Sequence, residues 1–116
     1  MSFIVKALPE VRLYLTDLIR ILYEKEYFSF EDNAIEYVTD LVSEIEKELP
    51  FKVKKPAQES FLRYGENLFY SSFRKNRDTT WYVFYTIHYD EELDFTTFLI
   101  RYISNNYVIA QHLFFW

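Results

Sequence analysis

The sequence predicts an α+β fold, with a helix hairpin packed on a C-terminal antiparallel sheet, and two observations carry that reading. The first half of the chain repeats its apolar residues at helical spacing. The second half switches to strict alternation and holds seventeen of the twenty-five aromatic residues, which favour strands. With 116 residues the chain has the size of one domain and too little length for two, so residues 1–116 are read as a single unit. A hydrophobic share of 50% and an aromatic share of 22% exclude a disordered chain.

Phe3 to Leu8 is a short apolar stretch expected to be an edge strand. Pro9 then suits the first turn of a helix, where its missing N–H would have no partner anyway. Val11, Leu15, Leu18, Ile19 and Leu22 form the buried stripe of a first helix over about residues 10–27, ending near Tyr27. Ser29 offers a cap to a second helix over about 33–49, whose run opens with Ala34 and Ile35. Its stripe continues as Val38, Leu41, Val42, Ile45 and Leu49, with Glu36, Asp40, Glu44, Lys47 and Glu48 facing out and Pro50 as its stop. A basic, irregular connector runs from Phe51 to about Glu59. Three strands are then expected at about 68–75, 80–89 and 95–103, with turns at Lys75–Asp78 and Asp90–Glu92, as a meander whose inner face the helices cover. In the last of them, alternation puts Phe95, Thr97, Leu99, Arg101 and Ile103 on one face and Phe98, Ile100 and Tyr102 on the other.

Charge is unevenly distributed. The chain carries −5 overall, which argues against a surface that grips nucleic acid everywhere. Residues 52–77 are the exception: Lys52, Lys54, Lys55, Arg63, Arg74, Lys75 and Arg77 stand against only Glu59 and Glu66. This segment is the candidate partner-binding surface. With Tyr70 and Tyr82 nearby, the turn cations also resemble an RNA site, because rings stack on bases while cations hold phosphate. Arg101, inside an apolar strand, is expected to form a structural ion pair.

No metal site and no cofactor are expected. The chain has no cysteine, neither His88 nor His112 has a second ligand at metal spacing, and with Gly65 as the one glycine a phosphate-binding glycine loop is excluded. No apolar run reaches the roughly 20 residues of a membrane span, and the first residues lack the layout of a signal peptide. A cytoplasmic protein without membrane contact is therefore expected. The apolar end, Leu113 to Trp116, either packs on the core, which includes packing across a homodimer, or binds a partner; packing is favoured.

The order of short strand, helix hairpin, basic connector and meander resembles the RelE/ParE superfamily, the toxins of bacterial type II toxin–antitoxin modules. The resemblance is carried by Trp81-Tyr82-Val83-Phe84-Tyr85-Thr86-Ile87 and by Phe98-Leu99-Ile100-Arg101-Tyr102-Ile103. It implies a compact sheet with two helices on one side and a small antitoxin as partner. The ribonuclease branch of that family cleaves messenger RNA on the ribosome with basic residues on the sheet. Here Tyr70 and Ser72 stand at its lysine positions, Tyr82 at an arginine position, and Ser104-Asn105-Asn106 where basic residues follow the last strand. Arg74, Arg77, Tyr107 and His112 are what remains for an altered catalytic set. The resemblance to the branch that inhibits DNA gyrase implies action through protein contacts alone. A non-toxic interaction domain that keeps only the fold is the third reading.

Overall fold

The computed structural model describes residues 2–24 and 31–106. It is α+β, with a five-stranded mixed sheet in the order β1-β5-β4-β3-β2. The strands are β1 (Ser2–Ala7), β2 (Lys55–Pro56), β3 (Phe69–Arg74), β4 (Thr80–Asp90) and β5 (Phe95–Asn105), and the helices are α1 (Pro9–Glu24) and α2 (Glu31–Glu48). Short 3-10 helices at Leu49–Phe51 and Glu59–Tyr64 flank β2.

The expected meander is the centre of this sheet. β3 pairs antiparallel with β4, and β4 with β5. The N-terminal stretch is indeed an edge strand, and it pairs parallel with β5 from Ser2↔Phe95 to Ala7↔Ile100. Because β1 and β2 lie at opposite edges, the chain between them must traverse the sheet. The helix pair is that traverse, and it therefore lies on one face. Val11 and Leu18 of α1, with Val38, Leu41 and Ile45 of α2, bury against Phe73, Trp81, Val83, Tyr85, Ile100 and Ile103. Each such side chain contributes about 1.5–3 kcal/mol. Ile35 is exposed, whereas Ala34 is fully buried. The end expected near Tyr27 and the Ser29 cap lie outside the described residues.

Polar contacts fix the same interface. The Trp81 indole N–H donates to Tyr37 Oη of α2 at 2.9 Å, as a largely buried donor requires. Lys75 Nζ lies 3.8 Å from Glu44 Oε2, which ties the β3–β4 turn to α2. Asn106 closes the other side of that turn: its Oδ1 accepts from the Thr80 N–H and its Nδ2 donates to the Asp78 carbonyl.

One expectation is corrected. Strict alternation along β5 fails, because the register passes from Phe84↔Tyr102 to Tyr85↔Ile100 and leaves Arg101 as an extra, unpaired residue. This bulge reverses the facing of the residues beyond it. Phe98, Ile100 and Ile103 share the helix side, whereas Tyr102 packs on the opposite one. The opposite face carries a second core. The Glu59–Tyr64 helix covers part of that face, and Phe61, Leu68 and Phe84 form the core with Tyr64, Tyr70, Tyr82 and Tyr102 around them.

Candidate functional site

The cations of residues 52–77 do not converge. Beyond the Leu49–Phe51 helix the chain runs extended toward β3, so successive side chains alternate. Lys52 and Lys54 turn to the helix side, with Nζ 4.6 Å from the Phe73 ring centroid and 5.7 Å from that of Phe69. Phe51 and Val53 are left 75% and 78% exposed. The Phe51 ring meets Phe3 of β1 edge to face at 5.5 Å, and Phe3 meets Phe98 at 6.3 Å. A series of ring contacts thus leads from Phe98 through Phe3 to the exposed Phe51. Lys55 is exposed in β2.

This segment is anchored from beneath. The Ser71 hydroxyl donates to the Val53 carbonyl at 3.1 Å. It has one proton, so the Tyr85 hydroxyl, 2.9 Å away, is the donor to Ser71 Oγ. Burial raises the Tyr85 phenol above its ordinary value of 10.0.

The remaining cations sit elsewhere. Arg74 directs Nε to the Asn76 carbonyl at 3.1 Å and Nη2 to the Arg77 carbonyl at 3.3 Å, so its guanidinium holds its own turn. Arg77 is exposed on that turn, while Lys75 is held toward α2 between Glu44 and the Tyr37 ring. Arg63 belongs to the opposite face, donating to Tyr64 Oη at 3.0 Å and lying 5.0 Å from that ring. Strand alternation and the crossing connector divide what is contiguous in sequence. Tyr107, His112 and the Leu113–Trp116 end lie outside the described residues.

The opposite face carries a continuous set of rings. Phe61 stacks on Phe84 at 4.6 Å, Tyr64 on Tyr102 at 4.3 Å and 5°, and Tyr70 meets Tyr82 at 6.1 Å. Arg101 reaches this face, but its expected ion pair is replaced by neutral partners. Nε donates to Thr86 Oγ1 at 2.9 Å and Nη1 to the Tyr64 carbonyl at 3.4 Å. Thr86 Oγ1 also lies 2.7 Å from His88 Nε2; since Thr86 accepts from Arg101, its own proton is free to be donated to His88. No carboxylate is paired with Arg101 among the described residues. Gly65 has a steric reason: a Cβ there would lie 2.8 Å from Arg101 Cδ.

Burial raises Tyr14 and Tyr102 above 10.0, and proximity of the two phenols adds to the shift in Tyr14. Both are neutral hydroxyls near pH 7, suited to hydrogen bonding rather than to proton abstraction. No cluster of three metal-ligating side chains occurs among the described residues, and none of their helices is long and apolar enough to cross a membrane.

No family model, curated protein or solved structure matches this chain. Sequence reasoning missed the contact of Phe51 with Phe3 and the exposure of Phe51 and Val53. It also missed the Tyr64–Arg101–Tyr102 grouping, which depends on the bulge.

Proposed function

We propose that this chain works by protein binding, as the toxin component, or a toxin-derived relative, of a bacterial type II toxin–antitoxin module neutralised by a small antitoxin. The observation that carries the reading is the exposed Phe51 in edge-to-face contact with Phe3, followed by the exposed Val53, in a segment that also holds Lys52, Lys54 and Lys55. Large apolar side chains grouped with single-sign charge suit an apolar, acidic partner segment. The order of elements, with two helices on one face of the sheet, supports the RelE/ParE-like part of the proposal. Separation of the cations favours binding over phosphoryl chemistry, which requires charge concentrated on one phosphate. DNA gyrase, a target engaged through protein contacts, fits this reading better than RNA does.

Inducible expression in a bacterial host tests it. Growth arrest is expected, relieved by co-expression of the small reading frame adjacent to this one, whose product co-purifies. Phe51→Asp and Val53→Asp together should abolish that co-purification while the chain still folds. Harmless expression without a co-purifying product would sink the proposal.

A second reading, an RNA endonuclease with an altered set, is favoured by Tyr70 and Tyr82 lying 6.1 Å apart in the same layer of rings. In that case purified protein cleaves RNA, and Arg74→Ala or His112→Ala abolishes cleavage.

A further inference from the structure

β1 ends its pairing at Ala7↔Ile100, and the Leu8 N–H closes that edge on the Ile100 carbonyl. Beyond it, among the described residues, the Arg101–Asn105 half of β5 has no strand on its outer side. α1 passes this open half and supplies Glu10 and Tyr14, while the opposite face supplies Tyr64 and Tyr102. Together with Arg101 and Ser104 these residues line a half-open cavity of about 360 Å³. That volume lies in the range of small-molecule sites, about 300–1,000 Å³.

The cavity joins an incompletely partnered cation to aromatic walls. Arg101 is half-buried, and a guanidinium has five N–H donors. Its described contacts engage Nε and Nη1 with neutral oxygens, the second at a long 3.4 Å. Nη2 has no partner among the described residues. A half-buried cation with neutral partners is best satisfied by an anion, and a guanidinium offers parallel donors that match carboxylate or phosphate oxygens. Gly65 keeps the path of this side chain clear, since any Cβ there meets Arg101 Cδ at 2.8 Å. Beside it the Tyr64 and Tyr102 rings stack on each other at 4.3 Å and present their edges, and Arg63, over the Tyr64 ring and outside the cavity lining, adds a more distant positive charge.

We propose that this cavity binds a small planar aromatic anion, its negative group on Arg101 and its ring against Tyr14 and the edge of the stacked Tyr64–Tyr102 pair. Two sources share that chemistry, an aromatic carboxylate and a nucleoside monophosphate. Glu10 at the rim disfavours a ligand with negative charge at both ends, which narrows the class to molecules charged at one end.

Calorimetric titration of the full chain with 4-hydroxyphenylacetate in one arm and AMP in the other tests the assignment. 4-Cresol and inorganic phosphate supply the ring and the charge separately. One aromatic anion is expected to bind saturably, and each separate half at least about tenfold more weakly. The better arm identifies the source. Arg101→Gln should reduce affinity about tenfold or more, as loss of a charge-assisted contact does. Gly65→Ala, which displaces Arg101 without removing it, should also weaken binding, while Leu93→Ser, at an exposed and remote position, leaves it unchanged. If Arg101→Gln does not fold, Gly65→Ala and Arg63→Gln decide. Absence of binding by either anion at millimolar concentration overturns the proposal, as does equal binding by folded Arg101 and Gly65 variants.

Discussion

Ser71→Ala is the most informative single change in this fold, because it removes the acceptor of one buried group and the donor to another. Ser71 and Tyr85 are each 1% exposed, so water cannot replace the acceptor that Tyr85 loses. In the variant the Tyr85 hydroxyl, 2.9 Å from the missing oxygen, remains buried without an acceptor. An orphaned group of this kind costs about 1–3 kcal/mol. The Val53 carbonyl also loses its donor, although Val53 is exposed enough for water to replace it. Tyr85→Phe is milder: it removes the donor together with its need, and Ser71 keeps its bond to Val53. Its expected cost is about 0.5–1.5 kcal/mol. The double variant should be less destabilised than the sum of the singles by about 1 kcal/mol, since a phenylalanine ring has no hydroxyl to orphan. Urea unfolding with an unchanged slope measures all three, and at this size 1 kcal/mol corresponds to about 3–6 °C in Tm. If Tyr85→Phe costs more than Ser71→Ala, or if the two add, the assigned direction of the bonds is wrong. The same pair anchors the segment that carries Val53, so Ser71→Ala should also weaken partner binding through Phe51 and Val53 more than Tyr85→Phe does.

Other expectations concern the second core, the tie between turn and helix, and the alkaline titration. Phe84→Ala, at the centre of the ring contacts on the face opposite the helices, should cost about 3–5 kcal/mol in the same unfolding experiment, whereas Leu93→Ser should be silent. Lys75→Ala paired with Glu44→Gln in a double-mutant cycle should give a coupling of about 0.5 kcal/mol that shrinks with added salt. Burial raises Tyr14, Tyr85 and Tyr102 above 10.0, so the folded state holds these protons longer than the unfolded chain does. Their contribution to stability is complete below about pH 10 and is lost as pH rises through the folded values; Tm should fall in that window, and the Tyr85→Phe variant should show a smaller decline.

The amino-acid sequence by itself determined the helices and the central strands, because their signals are local. The stripes of Val11-Leu18 and Val38-Leu41-Ile45, and the alternation of Trp81, Val83 and Tyr85, each need only the period of one element to declare the buried side. Tertiary structure decided what depends on pairing between distant segments. The parallel partner of β1 is chosen by where the helix pair returns the chain, and nothing in Phe3–Leu8 encodes it. The bulge at Arg101 exists only as a mismatch between β4 and β5, and one unpaired residue sufficed to send Ile103 to the helices and Tyr102 to the opposite face. The lysines and arginines of 52–77 are neighbours in sequence, but a strand shows its successive side chains to opposite faces, and the connector crosses from one element to another. Charge could be counted along the chain; its convergence could not. Arg101 sums up the difference: its cation was legible, but its neutral partners, the clearance at Gly65 and the cavity beside it arise only when β5 meets α1 and the Glu59–Tyr64 helix.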